Sequence, residues 1–467
     1  MKWGVPLGLG GLIWIVPAPE GLTPDAWRYL ALFVAVIAGL MTEPLPGPAV
    51  GLVGLSAAAS FGLVGETPAE SIRWALSGFN NEVVWLVFSA TTFALGYEKT
   101  GLGRRIALKL VAGLGSRTLG LGYAVALAEL VLAPFMPSNT ARSAGTIYPV
   151  VGNIPPLYHS SPTENPRAIG AYLCWTAFAT TTVTSAMFIT SMAPNLLATQ
   201  LARQIANVDV TWTSWMMGFL PVGILLLLLT PVVTYVVYPP TIRRGERVQQ
   251  WARDELASMG RISRGELTMA LLAVVALVGW IAGTAVIAAV TVSLVVISAM
   301  LLTGVVRWSD ILAHTQGWNV LVWFATLVAL AEGLSRVGFI GWFAERSAAG
   351  LSSVPVMAAA VGLIAVFFFV HYFFASTTAH TTAVLPAFLA AVAGLHGMPV
   401  KPVVLMLLYS IGLMGVLTPY ATGPAPVWFS TGYIASGDFW KLGFVMGLLY
   451  IGMLLAVGLP YALHVPW

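Results

Sequence analysis

Apolar residues along this chain come in long blocks, not in the alternation of a half-buried strand. Blocks at 3–17, 27–42, 46–64, 82–98, 168–206, 215–238, 266–282, 284–304, 318–334, 401–434 and 439–462 are nearly free of charge. A helix needs about 20 mostly apolar residues to cross the hydrocarbon of a bilayer. Each block therefore predicts a crossing, eleven in all. The blocks 168–206 and 401–434 are too long for one straight crossing and are interrupted by Thr, Gly and Pro, which predicts broken helices. Two more apolar stretches, 119–151 and 356–393, carry a polar tip at the middle, Ser138-Asn139-Thr140 and Ser376-Thr377-Thr378. Each arm has ~14–18 residues, ~21–27 Å at helical rise, which suits a re-entrant hairpin. The fold class expected is an all-α polytopic membrane protein with about 11 transmembrane helices plus two re-entrant hairpins. The block at 3–17 ends at Pro17, with Pro19 close behind and no small-x-small site ahead of them, so it reads as a retained first helix.

Composition narrows the function classes. Of 467 residues, 58% are apolar and 9% charged, against about 25% charged in an average soluble chain. So few charges cannot cover a water-exposed surface, which excludes a soluble enzyme, a nucleic-acid binder and a disordered scaffold. The net charge of +4 reflects topology rather than a polyanionic partner. With the N-terminus in the cytoplasm, fifteen Lys and Arg fall inside and six outside, Arg142 belonging to neither set. The strongest element is the loop 239–265, and the C-terminus is then periplasmic. The location expected is a bacterial inner membrane. The single cysteine, Cys174, excludes a disulfide framework and reads as a small packing residue.

The chain repeats itself at a displacement of about 237 residues. Gly96-Tyr97-Glu98-Lys99-Thr100-Gly101-Leu102 matches Gly333-Leu334-Ser335-Arg336-Val337-Gly338-Phe339. Ser138-Asn139-Thr140-Ala141-Arg142 matches Ser376-Thr377-Thr378-Ala379-His380, and Thr190-Ser191-Met192-Ala193 matches Thr418-Pro419-Tyr420-Ala421. The organisation expected is a first helix at 1–26, repeat 1 at 27–238, an Arg-rich cytoplasmic loop at 239–265 and repeat 2 at 266–467. Each repeat holds an odd number of crossings, so the halves are inverted. Inverted repeats with helices broken at matching places are the mark of a secondary transporter with its site at the midplane. A channel is the alternative from composition alone, but no repeated carbonyl filter or ring of like charges is present.

Irregular backbone at membrane depth survives only inside protein or along a wet cavity. It is expected near Ser138–Thr140, Thr190–Asn195, Ser376–Thr378 and Thr418–Gly423, with a new half-helix starting after each. Ser and Asn suit N-caps, and Pro194 and Pro424 suit a first turn. Helix N-termini carry partial positive charge and free N–H groups, so four converging would hold a small carboxylated anion. The candidate substrate-binding residues are Ser138, Asn139, Thr140, Arg142, Ser376, Thr377, Thr378, His380, Thr190, Pro419, Thr422 and Gly423. Arg142 and His380 follow the tips at matched positions, and an ionisable residue at that depth is a functional hypothesis by default. For Arg142 the alternative is an ion pair with Glu129, and the two readings are compatible. For His380 it is a neutral hydrogen-bonded side chain. Thr180, Thr181, Thr182 and Thr184 read equally well as packing, and His371 as structural. The six histidines show no HxxxH or HExxH spacing, so no catalytic, metal or cofactor site is expected and the chain is not read as an enzyme.

The segments LVLAPFMPSNTARSAGTIYPV, FFASTTAHTTAVLPAF and LTPYATGPAPVWFSTGYI resemble the divalent anion/sodium symporter family, and more closely its exchanger branch of citrate/succinate and tartrate/succinate antiporters and 2-oxoglutarate/malate translocators. The resemblance runs from 19–40 to the last helix. It implies a homodimer in the bilayer, each subunit with a scaffold and a mobile domain bearing both hairpins and both broken helices, working by an elevator movement on small carboxylate anions. In the family the Ser-Asn-Thr tips bind substrate carboxylates and, in symporters, help to bind Na+. Ser138, Asn139 and Thr140 match fully, whereas Thr377 replaces the second Asn and removes an amide carbonyl ligand.

A fixed Arg142, His380 and the helix termini would together leave the empty pocket at roughly +2 to +4. A dianion would largely cancel that charge, so loaded crossing is favoured. The expectation is Na+-independent, one-for-one antiport of malate, succinate, 2-oxoglutarate, citrate or tartrate. The alternative is a Na+-coupled dicarboxylate symporter of the same family.

Overall fold

The computed structural model describes residues 2–244, 246–282, 287–351 and 353–465. The chain opens with α1 (Gly4–Ile15), α2 (Pro24–Thr42), α3 (Gly47–Ser60), the short α4 (Pro68–Ala75), α5 (Glu82–Thr100) and α6 (Leu102–Leu114). The first hairpin follows: α7 (Thr118–Leu132), a break, a wide π-type stretch Thr140–Ile147 and α8 (Tyr148–Val151). Then come the two halves of a broken helix, α9 (Gly170–Met187) and α10 (Ala193–Ala206), and the long α11 (Trp212–Val237). A single helix, α12 (Glu246–Ser258), occupies the polar segment between the halves.

The second half runs in the same order. It comprises α13 (Arg264–Ala282), α14 (Ala289–Leu302), the short α15 (Trp308–Ala313), α16 (Thr315–Arg336) and α17 (Phe339–Leu351). The second hairpin is α18 (Val356–Val370) and α19 (Thr377–Gly394), and the second broken helix is α20 (Val400–Leu413) and α21 (Ala425–Ser430). The described chain closes with α22 (Ser436–Met453) and α23 (Leu459–His464). No strand occurs among the described residues; one isolated bridge pairs Arg117 with Arg244.

The chain is an all-helical, polytopic membrane protein. Among the described residues eight helical stretches are long and apolar enough to cross a bilayer, three of them hairpin arms. Three expected crossings are shorter than their apolar blocks. α1 has 12 residues, and α3 and α14 have 14 each, below the ~20 of a full crossing. At 46–64 the block outruns its helix because Phe61 ends α3 and Gly62 turns the chain at φ +61°. The start of the expected 284–304 block, residues 284–286, lies outside the described residues. Elsewhere local chemistry sets the ends as the sequence dictates. The Thr23 and Thr67 side chains accept from the N–H three residues on, each just ahead of a proline in the first turn.

The repeated glycine motif has a physical reason in both copies. Its second glycine sits at positive φ after the helix: Gly101 at +75° directly after α5, and Gly338 at +84° just past Val337, the cap residue of α16. That left-handed conformation ends a helix and favours glycine. Its first glycine permits close packing against the opposite half. A methyl group at Gly333 would fall 2.0 Å from the Tyr29 hydroxyl on α2, and one at Gly96 would fall 2.5 Å from Met300 on α14. Burial grades outward from the broken helices. Every residue of α9 is buried, as is α20 from Val403 onward. Apolar side chains such as Leu12, Ile15, Val274, Val278 and Leu302 are exposed on α1, α13 and α14, a surface suited to lipid.

Candidate functional site

The two hairpin tips have the same local construction. The Ser138 carbonyl accepts from Arg142 N–H at 2.9 Å, and its hydroxyl accepts from Ala141 N–H at 3.1 Å. The Ser376 carbonyl accepts from His380 N–H at 3.1 Å, and its hydroxyl from Thr378 and Ala379 N–H at 3.2 and 3.5 Å. Both serines are N-caps, so each tip is a helix start whose first-turn N–H groups have no carbonyl partner within the helix. Ser138, Thr140, Ser376 and Thr378 are half-buried; Asn139 and Thr377 are buried.

The first tip meets the break of the second half. Asn139 Nδ2 donates to Thr422 Oγ1 at 2.9 Å. A Cβ on Gly423 would lie 2.0 Å from Thr140 Oγ1, so glycine is what allows the two segments to touch. The first break lies beneath the same tip: Ala193 N–H donates to the Pro137 carbonyl at 2.9 Å and the Thr190 hydroxyl to the Pro134 carbonyl at 2.7 Å. The second tip joins the second break through His371 and through the Tyr420 hydroxyl, which donates to the Tyr372 carbonyl at 3.1 Å.

Arg142 lies behind its tip, fully buried with Glu129. Its Nε donates to Glu129 Oε2 at 2.7 Å, Nη1 to the carbonyls of Met136 and Ser191 at 2.9 and 2.8 Å, and Nη2 to Ser185 and Thr184 hydroxyls at 3.1 and 3.4 Å. A guanidinium has five N–H donors, and all five are engaged. Direct ligation of a substrate carboxylate by Arg142 is therefore not the arrangement found. The ion pair with Glu129 is, and it removes the permanent positive charge that the sequence led us to expect for the empty pocket.

Glu129 is held from its other side by a chain of hydroxyls. Trp428 Nε1 donates to Ser143 at 2.9 Å, Ser143 to Thr181 at 2.7 Å, and Thr181 to Glu129 Oε1 at 2.7 Å. This links α21 of the second half to the first hairpin across α9. Thr184 also lies in the cage, whereas Thr182 bonds its own helix, donating to the Ala179 carbonyl at 2.8 Å.

Several expected positions serve packing. The Thr190 hydroxyl, besides its bond to Pro134, accepts from Trp212 Nε1 at 3.1 Å. Pro419 is buried inside the second break. Asn195 is not an N-cap: it lies within α10, and its Nδ2 donates back to the Ser185 and Phe188 carbonyls at 2.7 and 3.0 Å, closing the end of α9. Pro194 is in the first turn of α10, but Pro424 precedes α21 as its cap residue. His380 is buried against Phe367 and Phe374 and bonded to His371.

Residues the sequence did not single out are Ser143, Ser185, Ser191, Trp428 and the carbonyl of Met136. Backbone carbonyls and hydroxyls hundreds of positions apart leave no signal in spacing. Among the described residues no group of three His, Cys, Asp or Glu could hold a metal ion.

Comparison with known proteins settles the family. The pattern described as the sodium:sulfate symporter transmembrane region matches residues 2–466. The chain belongs to that family, the divalent anion/sodium symporters. It is 44% identical over 472 residues to the citrate/succinate antiporter of Escherichia coli K12, covering 97% of this chain and 96% of that one. It is also 44% identical over 471 residues to the L-tartrate/succinate antiporter of the same strain, covering 98% and 97%. In fold it is similar to the YdaH transporter of Alcanivorax borkumensis, with TM-score 0.57 and 16% identity over 90% of this chain and 97% of that one. It is likewise similar to MtrF of Neisseria gonorrhoeae, with TM-score 0.56 and 15% identity over 98% of each.

Proposed function

We propose that this family member exchanges di- and tricarboxylates of the malate, succinate, 2-oxoglutarate, citrate and tartrate class, one anion inward for one outward, without Na+. The relatives at 44% identity, named as citrate/succinate and L-tartrate/succinate antiporters, support the substrate class. The observation that carries Na+-independence is the cage around Arg142. Five oxygens, from Glu129, Met136, Ser191, Ser185 and Thr184, surround a cation that is part of the chain and cannot leave with substrate.

The carboxylates lie at the two helix starts, on Ser138, Asn139, Thr140 and Ser376, Thr377, Thr378, with Thr422 and Gly423 closing one side. The serine hydroxyls take up the N–H groups of Ala141, Thr378 and Ala379, which leaves those of Asn139, Thr140 and Thr377 for an anion to satisfy. With no anion bound and water excluded they stay unpaired, which is costly in a low-dielectric setting. Because Glu129 balances Arg142, this polar penalty, and not a large net charge, opposes the empty crossing.

The like order of elements in the two halves supports inverted repeats of five crossings and a re-entrant hairpin each, after a first helix. The hairpins and broken helices then move as one body past α2, α3, α5, α13, α14 and α16, in a homodimer of the bacterial inner membrane. The N-terminus faces the cytoplasm and the C-terminus the periplasm. A transporter of this kind needs no cofactor and performs no enzymatic step.

The test is uptake by liposomes containing the purified protein and loaded with succinate, presented with labelled malate, 2-oxoglutarate, citrate, tartrate or sulfate in Na+ or in choline buffer. Carboxylate uptake equal in both buffers is expected. Uptake of sulfate alone, or only in Na+, would overturn the proposal.

A further inference from the structure

Two histidines of the second hairpin touch. His371 Nδ1 lies 3.2 Å from His380 Nδ1, and His371 Nε2 lies 2.9 Å from the carbonyl oxygen of Ala421. Both rings are fully buried. The fourth nitrogen, His380 Nε2, is also buried and has no hydrogen-bond partner.

The protons in this arrangement follow from donor and acceptor chemistry. A carbonyl oxygen only accepts, so His371 Nε2 carries a hydrogen. A neutral His371 then has a bare Nδ1, which must receive the hydrogen on His380 Nδ1. A neutral His380 is thereby left bare at Nε2. One further proton can enter, and only at Nε2, because the other three nitrogens are committed. Once it has entered, the hydrogen between the rings can sit on either one, but the added proton stays at the open end. The pair therefore takes one proton and no more, and Ala421, in the break of the neighbouring helix, fixes the direction of the chain.

Aromatic rings enclose His380. Phe367 meets the His380 ring edge-on at 4.5 Å between centroids and Phe374 lies at 4.9 Å. The His371 ring lies 5.1 Å from that of His380, centroid to centroid. Of the helices packed on α19, α10 carries Arg203 and α17 carries Glu345 and Arg346, all exposed. On α2 Asp25 and Arg28 are also exposed and the Tyr29 hydroxyl donates to the Leu330 carbonyl; on α20 Lys401 sits in the first turn, at the end away from the break, and the Tyr409 hydroxyl donates to the Trp215 carbonyl.

We propose that His371 and His380 form the proton site of the second tip, with His371 the positioning residue that keeps His380 Nε2 open to a proton when a carboxylate binds. This rests on the reading that the second tip takes a substrate carboxylate. The ring stands one helical turn behind Ser376, whose carbonyl accepts from His380 N–H. An anion at that helix start favours a cation one turn away, and the proton comes from water on the side to which the tip is open. The third charge of a trianion draws in one proton, which is given up with the trianion on the far side, whereas a dianion crosses with the pair neutral, so trianion-for-dianion exchange moves no net charge.

The test uses the full chain in liposomes loaded with succinate and a pH-sensitive dye, with citrate added at a pH where it is trianionic. For the wild type, about one proton per citrate and no response to an imposed membrane potential are expected. His380→Gln should lose the proton movement and become potential-sensitive. His371→Gln should keep it, because the amide can donate to Ala421 and accept from His380. His371→Leu, which can do neither, should move the pH midpoint of exchange by about one unit. Wild-type exchange without protons would overturn the proposal, as would proton movement that survives in His380→Gln, where the proton would be riding on citrate. Lack of any carboxylate exchange by the wild type would instead remove the functional reading, and this proposal with it.

Discussion

The two tips share a backbone and differ in what stands behind it. In the first, the residue four after the capping serine is an arginine whose five donors are all engaged and whose charge is balanced by Glu129. In the second, it is a histidine that ends a two-ring chain with one nitrogen left open. One tip is electrically closed, and the other can still change its charge. The two hairpins thus share the geometry of a capped helix start while dividing the electrostatics between a fixed support and an adjustable one.

The largest effect expected from disturbing this contrast falls on the closed side. Arg142→Ala leaves a fully buried carboxylate without its cation, and breaking one partner of a buried pair costs about 3–5 kcal/mol. Thermal unfolding in detergent should show a large loss. The double variant Glu129→Gln with Arg142→Gln should recover much of it. Equal loss in single and double variants would mean that the pair is not what holds the tip. Next is the contact between the tip and the opposite break. Gly423→Ala puts a methyl group against Thr140, so exchange should fall about tenfold, the effect of ~1.4 kcal/mol on the limiting step, with little change in unfolding temperature.

Smaller again is Trp428→Phe, which deletes the first donor of the chain ending on Glu129. About 1 kcal/mol is expected, read as a modest drop in unfolding temperature with exchange retained. The smallest effect belongs to Thr377→Asn, which restores an amide at the second tip. The cage around Arg142 is untouched by it, so exchange in Na+ and in choline should stay equal. A Na+ requirement in that variant would mean that the second tip alone decides ion coupling.

How far these differences could be foreseen depends on the kind of group that makes them. Helix positions were legible because hydropathy over tens of residues is a strong signal, and the broken helices appeared as Thr, Gly and Pro inside apolar blocks. The glycine motif was visible as a repeat, but its two jobs, ending a helix at positive φ and admitting Tyr29 or Met300, belong to three dimensions. Glu129 could be named as a partner of Arg142 because a carboxylate at membrane depth is rare. The oxygens that complete the cage are mostly carbonyls and hydroxyls, which every helix has. His371 was hidden differently: a lone histidine in an apolar arm looks like packing, and only its distance to His380 gives it a role.

The central claim is that no Na+ accompanies the substrate and that the site crosses loaded in both directions. It is tested most directly by labelled succinate offered to liposomes containing the protein, either empty or loaded with citrate, under an inward Na+ gradient. Uptake into loaded vesicles alone, unchanged when choline replaces Na+, is the predicted result. Accumulation in empty vesicles that collapses with the Na+ gradient would contradict it.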